Sequence, residues 1–281
     1  MLASGDGPLR LYTMANDRMA EYFERFLLYR DTFLPDVTLR VIPFDDKIQK
    51  IQSLIANRSD VVICDPDSSV DNIGKKIFLE EEYRPEIAAW RYFRKLNAFV
   101  GHADPFVFLD VNSILLGDPR DFLRIDQLDD QKIIFRTVSS PLRTIKLPEA
   151  QAYYNILDDG IGAGFNCAFF SARGNFLDLD LAKAIASRRL RHVIGKSPEQ
   201  GFLAIYIAYF SKTARLVSSE SSELGAQQKA DSKLEFDGLK YLRFVDGKDR
   251  GKVCLTLKQT GQDLKGLPEL IEQFRIRRGN A

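Results

Sequence analysis

The sequence is poor in the residues that build metal-thiolate sites and disulfide frameworks, with three cysteines and two histidines in 281 residues. The cysteines are Cys64, Cys167 and Cys254, an odd number at wide spacing that matches neither a zinc site nor a disulfide framework. We therefore expect reduced thiols and a cytoplasmic protein. With only His102 and His192, a His-rich catalytic metal centre is excluded.

The sequence also lacks an excess of charge and long apolar runs. Lys and Arg number 40 against 39 Asp and Glu, so no global charge attracts nucleic acid, and phosphate recognition must be local. No run approaches the roughly 18 apolar residues of a membrane span. The first residues carry no basic flank or apolar core of a secretory signal. We expect no nucleic-acid partner and no transmembrane segment.

What is present is an apolar content of 45%, enough for one α/β domain covering 1–281. Hydrophobic periodicity predicts alternating strands and helices. Strands are predicted near 9–14, 37–44, 132–137, 241–245 and 252–257, and another begins at 213. The segment 60–64 is predicted to be a strand or a turn. Helices are predicted over 19–34, 45–55, 85–100, 174–191, from 198 onwards and over 268–277. The polar runs 65–72 and 218–233 are predicted to be loops, and 139–154 is predicted to be irregular or to include a short helix.

The most informative stretch is 106–119, Phe-Val-Phe-Leu-Asp-Val-Asn-Ser-Ile-Leu-Leu-Gly-Asp-Pro. Its apolar run suits a central strand with both faces covered. Asp110 and Asn112 follow this strand two residues apart, so they present two oxygen donors on one side at its carboxyl end. Hard oxygen donors suit Mg²⁺ or Mn²⁺. Alternatively, the two residues only cap the next turn.

This block resembles the Asp-x-Asp segment of nucleotide-sugar glycosyltransferases with the GT-A fold, a group that includes glycogenin and bacterial lipopolysaccharide galactosyltransferases. The resemblance implies a single Rossmann-like α/β domain, a mixed twisted sheet with helices on both faces. Its nucleotide-binding half would cover about 9–118 and its acceptor-side half about 119–281. It also implies a hexosyltransferase-like enzyme that moves a sugar from a nucleoside diphosphate donor, foremost a UDP sugar, to a glycan, lipid or protein acceptor.

The same resemblance implies a divalent cation, Mn²⁺ or Mg²⁺, held by Asp110 and Asn112 on the diphosphate. The chain departs from the family pattern at Asn112, where the family usually has Asp. It departs again late in the chain, where metal-dependent relatives have a metal-binding His and this sequence has Arg243, Asp246 and Lys248.

The resemblance places the base and ribose at the end of the first predicted strand. The residues that it assigns to the nucleotide are Tyr12, Thr13, Ala15, Asn16 and Asp17 at that strand end, and Leu109, Asp110 and Val111 in the block above. By composition alone, Asn16 or Asp17 equally suits the N-cap of the next helix. Likewise, Asp45 and Asp46 after the second strand either cap a helix or contact the base.

Three cations, Arg91, Arg94 and Lys95, share one face of the predicted helix 85–100, at about 100° per residue. The plain interpretation is a solvated face. Because this helix leads into the Asp110 strand, its cations could also reach an anion at the strand end. The resemblance implies one basic residue near the diphosphate, and Lys95 or Arg91 is the candidate.

Two later segments supply candidate catalytic residues. The glycines of 160–172 lack the pattern of a phosphate loop, but the segment resembles the family stretch whose Asn faces the donor sugar, here Asn166. Glu199 and Gln200 open an apolar helix and resemble the family's Asp-Gln pair, which points a carboxylate and an amide at that sugar. Otherwise they only enrich the first turn in acid.

Two other functions stay open. A haloacid dehalogenase-type phosphohydrolase also places a nucleophilic Asp at the end of an apolar strand, although about a hundred residues precede Asp110 here. A catalytically degenerate GT-A-like protein would bind a nucleotide sugar or a glycan without turnover. Asn112 and the missing late His favour this second alternative.

Overall fold

The computed structural model describes residues 8–78, 89–115, 120, 125–139, 164–186, 194, 197–210, 213–216, 226–228 and 241–244. The chain divides into two compact units. The first comprises 1–18, 37–110 and 123–218, and the second comprises 19–36, 111–122 and 219–281. The expectation of a single domain over 1–281 stays a prediction.

The first unit contains a seven-stranded mixed sheet. Its strands are β1 (Arg10–Ala15), β2 (Leu39–Pro43), β3 (Val61–Ile63), β4 (Pro105–Leu109), β6 (Lys132–Ser139), β7 (Gly164–Arg173) and β8 (Thr213–Leu216). The strand order is β3-β2-β1-β4-β7-β6-β8. Neighbouring strands run parallel except at β7, which is antiparallel to both β4 and β6. The predicted mixed sheet is therefore confirmed.

Strand β4 lies at the centre of this sheet, and all five of its residues are buried. Its apolar run explains the position, because only a strand covered on both faces can be apolar throughout. From β1 the chain builds β2 and β3 on one side, whereas β4 adds on the other side. The carboxyl ends of β1 and β4 thus flank a topological switch point, where open α/β sheets bind ligands.

The second unit contains a three-stranded sheet of order β5-β10-β9. The strands are β5 (Ser113–Leu115), β9 (Ala226–Gln228) and β10 (Tyr241–Phe244). Helix α1 (Ala20–Phe33) also belongs to this unit, with Phe23 and Phe26 fully buried. The predicted loop 218–233 is wrong at β9, which pairs parallel with β10.

The remaining helices described in the first unit are α2 (Gln49–Ile55), α3 (Ser68–Ile77), α4 (Leu179–Ile185) and α5 (Pro198–Tyr209). Short 3₁₀ turns occur at Asp17–Met19, Ile125–Gln127 and Gly174–Phe176. The predicted helix 174–191 is therefore broken into a 3₁₀ turn and α4, and its last part lies outside the described residues. Three other predicted segments also lie outside the described residues, namely 140–154, 252–257 and 268–277. No helix in the described ranges is long and apolar enough to cross a membrane.

The predicted loop at 65–72 is wrong in its second half, because α3 begins at Ser68. Asp67 is the N-cap, and its side chain accepts a hydrogen bond from the Ser69 amide at 2.6 Å. Val70, Ile73 and Ile77 form the buried side of the helix. The polar composition of the first turn hid this spacing, since capping and turn residues are the same types.

The segment Ala89–Phe99 forms a 3₁₀ helix of 11 residues, which corrects the predicted α-helix. Such long 3₁₀ runs are uncommon, and with three residues per turn their side chains advance by about 120° per residue. Trp90, Phe93, Leu96 and Phe99 recur at every third position and are all buried. Arg91 and Lys95, four residues apart, therefore do not share a face as they would on an α-helix.

A turn connects this 3₁₀ helix to β4 and contains Gly101, whose φ of +77° favours glycine. The core that the helix covers is rich in phenylalanine. Phe99 packs edge-on against Phe106 of β4 with ring centroids 5.0 Å apart, and it stacks on Phe170 of β7 with centroids 5.8 Å apart. These contacts hold the 3₁₀ helix against β4 and β7, and so fix the direction of its polar side chains.

Candidate active site

A buried cluster of charges lies at the carboxyl end of β4. The ammonium nitrogen Nζ of Lys95 donates hydrogen bonds to Asp110 Oδ1 at 2.8 Å and to the carbonyl oxygen of Cys167 at 3.2 Å. It also lies 3.6 Å from Glu199 Oε1. The side chains of Lys95 and Glu199 are only 7% and 5% exposed, whereas that of Asp110 is 18% exposed. Asp110 is therefore the member of this cluster that opens most to solvent.

The three charges come from separate elements that the fold brings together. Asp110 directly follows β4, and its amide donates to the carbonyl of Ala168 on β7 at 2.8 Å. Lys95 comes from the 3₁₀ helix, and Glu199 from the first turn of α5, which begins with Pro198 at its first position. A carboxylate suits this turn because helix N-termini stabilise negative charge.

Burial alone would lower the pKa of Lys95, but the carboxylates of Asp110 and Glu199 outweigh it and raise that pKa to about 12. Burial raises the pKa of Glu199, although Lys95 partly opposes this rise. Lys95 is thus cationic at neutral pH. Glu199 Oε2 is buried and accepts no hydrogen bond from any described residue. The cluster therefore retains one acceptor oxygen that no described donor satisfies.

At the end of β1, side chains are tied to the neighbouring strands. Thr13 Oγ1 donates to the carbonyl of Leu109 on β4 at 2.7 Å. Asn16 Nδ2 donates to Asp45 Oδ2, beyond β2, at 2.8 Å. Asn16 is 5% exposed and Thr13 is fully buried. These bonds join the carboxyl ends of three adjacent strands at the switch point.

Asp17 acts as a cap, but not of the helix that follows it. Its Oδ1 accepts the amide of Lys50 at 2.7 Å and that of Ile51 at 3.4 Å, in the first turn of α2. The N-cap of α1 is Met19, which makes no side-chain capping bond. The capping alternative was therefore correct in kind but named the wrong helix.

Two other candidates at this strand are largely buried. Ala15 is 1% exposed, and its carbonyl accepts the amide of Phe44 at 2.9 Å. Tyr12 is 3% exposed, and its hydroxyl lies 3.1 Å from His102 Nε2. The hydroxyl of Tyr12 is thus engaged with the turn before β4. Nucleotide contacts by these two residues stay predictions.

Of the two basic candidates, the structure brings Lys95 and not Arg91 to the cluster at Asp110. Arg91 instead lies beside the ring of Trp90, with its guanidinium carbon 5.4 Å from the ring centroid. The 3₁₀ geometry explains the difference, since four residues correspond to about 480° of rotation, or 120° net. An α-helical wheel could not have separated the two.

The remaining candidates lie outside this cluster or have side chains that the structure does not describe. Val111 and Asn112 belong to the second unit, whereas Asp110 belongs to the first. One carboxylate and one amide oxygen suit a hard cation, and no group of three or more potential ligands occurs among the described residues. Asn166 pairs through its backbone with Thr137, and its side chain lies outside the description. The metal site stays a prediction.

Gln200 follows Glu199 in the first turn of α5 and is 5% exposed. The sequence reasoning missed the carbonyl of Cys167 as a partner of Lys95, and no side-chain pattern could have revealed a backbone acceptor on β7. It also missed the pairing of Asn16 with Asp45, which only the parallel alignment of β1 and β2 brings together.

No protein-family model and no curated protein matches this sequence. Solved structures do match. The galactosyltransferase LgtC in complex with donor and acceptor sugar analogs has a TM-score of 0.55 and 14% identity over 85% of this chain and 87% of that one. An active-site mutant of LgtC has a TM-score of 0.56 and 13% identity over 84% and 87%.

The apo form of mouse xyloside xylosyltransferase 1 has a TM-score of 0.56 and 10% identity over 85% of this chain and 97% of that one. These proteins are glycosyltransferases of the GT-A fold. The predicted fold is thereby confirmed, and this chain has the GT-A fold. Identities this low establish the architecture, whereas activity has to be argued from the site.

Proposed function

We propose that this protein is a glycosyltransferase that moves a sugar from a nucleoside diphosphate donor, foremost a UDP sugar, to a glycan, lipid or protein acceptor. The observation that carries the proposal is the cluster of Lys95, Asp110 and Glu199 at the carboxyl end of β4. It lies at the switch point of a GT-A fold, where ligands bind. The fold is consistent with sugar transfer, and the cluster supplies a cation and two carboxylates that this reaction can use.

Sugar transfer requires that negative charge on the departing diphosphate be stabilised. Lys95 suits this role, because its raised pKa keeps it cationic and its three neighbours hold the ammonium group in one place. A preorganised cation needs little rearrangement as charge develops on the leaving group. The two carboxylates orient the ammonium group of Lys95, but their negative charges outnumber its single positive charge. An incoming diphosphate must therefore displace or rearrange part of the cluster.

Glu199 and Gln200 suit the sugar side of the reaction. Glu199 Oε2 is the buried acceptor that no described donor satisfies, and leaving such an oxygen desolvated costs about 1–3 kcal/mol. A sugar hydroxyl would satisfy it. We propose that Glu199 accepts such a hydroxyl or stabilises positive charge at the anomeric carbon, with Gln200 and Asn166 as further polar contacts. A divalent cation on Asp110, with Asn112 as second ligand, extends the proposal and would neutralise diphosphate charge.

A second candidate function is nucleotide-sugar or glycan binding without turnover. Asn112 in place of the usual Asp favours it, and so does the engagement of Asp110 by Lys95. The phosphohydrolase alternative has no support from the three solved structures named above, which are glycosyltransferases.

The test measures binding first and turnover second. Ligands that bind the native state raise its melting temperature, so we expect UDP to stabilise the protein and uridine to do so less. Lys95→Ala should weaken binding of UDP more than binding of uridine, because only UDP offers charge to the ammonium group. Arg91→Ala should weaken UDP binding less than Lys95→Ala does.

Release of UDP from UDP sugars, with and without acceptor sugars and Mn²⁺, then separates the two functions. Turnover that Glu199→Gln abolishes supports the transferase. Binding without turnover under all conditions supports the second function. If no nucleoside diphosphate changes the melting temperature at millimolar concentration, the transferase and nucleotide-sugar binding are both wrong, and only glycan binding is left.

A further inference from the structure

Arg94 is a buried cation that the proposed chemistry does not use. It is 8% exposed. Its Nε and Nη2 donate to the two carboxylate oxygens of Asp71 on α3 at 2.9 and 2.8 Å. Its Nη1 donates to the carbonyls of Pro43 at 3.2 Å and Phe44 at 3.4 Å. One guanidinium therefore ties the 3₁₀ helix to α3 and to the carboxyl end of β2.

The carboxyl end of β2 is joined in turn to the end of β1. The amide of Phe44 donates to the carbonyl of Ala15 at 2.9 Å. The next residue, Asp45, accepts Asn16 Nδ2 on Oδ2 at 2.8 Å and the amide of Lys47 on Oδ1 at 3.0 Å. Asn16 lies at the strand end to which we assign the nucleoside. A displacement of the backbone at Phe44 would thus reach this end directly.

The backbone of Arg94 is itself held in place. Asn97 Nδ2 donates to the carbonyl of Arg94 at 2.8 Å, and Asn97 Oδ1 accepts the amide of Asp67 at 2.7 Å. Arg94 and Asn97 are three residues apart and share a face of the 3₁₀ helix, whereas Lys95 is rotated by about 120°. Adjacent residues of one helix therefore reach two different strand ends, Arg94 that of β2 and Lys95 that of β4.

We propose that Arg94 is a positioning residue for the nucleoside half of the donor site, acting through the ends of β2 and β1, while Lys95 acts on the diphosphate half. This inference rests on the proposed function. A planar guanidinium is needed because its fork pairs with both oxygens of Asp71 while the third nitrogen bonds the two carbonyls. Lysine at this position keeps the charge but cannot make all these bonds.

The only tryptophan in the sequence, Trp90, provides the spectroscopic probe. The guanidinium carbon of Arg94 lies 5.3 Å from the centroid of its ring, and Lys75 Nζ lies 4.7 Å from the same centroid. Arg94→Lys and Lys75→Arg thus each exchange one cation for another beside the same ring. Lys75→Arg is the matched control, because Lys75 belongs to neither half of the proposed site.

The experiment titrates uridine and UDP into the wild type, Arg94→Lys, Lys75→Arg and Lys95→Ala, and follows Trp90 fluorescence. We expect Arg94→Lys to lower the affinities for uridine and for UDP by the same factor, about tenfold, because both ligands contain the nucleoside. Lys75→Arg should leave both affinities unchanged. Lys95→Ala should instead lower the affinity for UDP and leave the affinity for uridine unchanged.

The possible failures are distinguishable. Suppose that the wild type binds UDP. If Arg94→Lys then has wild-type affinity for uridine, whether or not its affinity for UDP falls, the positioning role is overturned and the proposed function stands. If the wild type binds neither ligand, the proposed function falls and this inference with it.

Should Arg94→Lys not fold, Asp71→Asn loosens the same fork while keeping its shape. A parallel loss of uridine and UDP affinity in that folded variant supports the proposal. A lower melting temperature with unchanged affinities would show a merely structural role and overturn it.

Discussion

Replacing Lys95 by Met tests whether the buried cluster is held together by charge. Methionine nearly preserves the shape of the side chain but removes the ammonium group, which lies 2.8 Å from Asp110 and 3.6 Å from Glu199. The two carboxylates then lose the cation that they share. Because Glu199 is 5% exposed, water cannot replace the lost partner fully.

The pKa of Lys95 sets a lower estimate for the loss. A rise from 10.5 to about 12 is a shift of about 1.5 units, which corresponds to about 2 kcal/mol in favour of the folded cationic form. Since this pKa is raised, the contribution is complete below 10.5 and is lost only as the pH rises through about 12. Breaking a buried pair from one side typically costs about 3–5 kcal/mol. We therefore expect Lys95→Met to lose about 2–5 kcal/mol at neutral pH.

The loss should depend on pH. Burial already raises the pKa of Glu199, and removal of Lys95 raises it further because Lys95 opposes that rise. The folded variant then binds a proton more readily than its unfolded chain, so its stability rises as the pH falls. The difference from wild type should therefore shrink as the pH falls from about 8 toward 4.5, the ordinary pKa of a glutamate.

Urea unfolding over this pH range measures both effects. Lys183→Met is the control, because Lys183 lies 3.2 Å from Asp180 in an exposed pair, with side-chain exposures of 39% and 92%, and exposed pairs contribute at most about 1 kcal/mol. The double variant Lys95→Met, Glu199→Gln should recover part of the loss. The reasoning is refuted if Lys95→Met is no less stable than the control at about pH 8, or if its loss does not shrink in acid.

Three further outcomes are expected. Burial lowers the pKa of His102, so the folded state resists protonation there, and stability should fall as the pH drops below about 6.5. His102→Gln should flatten that slope in thermal unfolding at a series of pH values, and an unchanged slope would assign it to other groups. Gly74→Ala would place a Cβ 2.7 Å from the carbonyl oxygen of Trp90, so α3 must shift. The free energy of unfolding should fall by about 1–3 kcal/mol, despite the better helix propensity of alanine. Chemical denaturation that shows equal or greater stability would contradict this. Asn112→Asp should tighten Mn²⁺ binding in the presence of UDP and Asp110→Ala should abolish it, as measured by water proton relaxation, because a second carboxylate adds Coulomb attraction; no metal binding by either the wild type or Asn112→Asp would remove the cation from the proposal.

The sequence by itself determined the central strand and the place of the candidate site at its end. The apolar run of β4 requires burial on both faces, and so predicts a central strand with Asp110 at its carboxyl end. Glu199 opens a largely apolar helix, and its resemblance to the family's Asp-Gln pair assigned it to the site. These features are local, because strand burial and helix starts depend on neighbouring residues. The resemblance to GT-A glycosyltransferases rested on the same residues, and the solved structures confirmed the fold.

Only the tertiary structure decided which polar side chains meet. The choice of Lys95 over Arg91 depends on the 3₁₀ geometry of 89–99, which the buried aromatic packing of that segment imposes and an α-helical wheel cannot represent. The pairing of Arg94 with Asp71 joins residues 23 apart, and the capping of α2 by Asp17 spans 33. A charged residue can pair with many partners of similar strength, so its choice depends on which strands and helices lie adjacent, and that adjacency is not encoded in the local sequence.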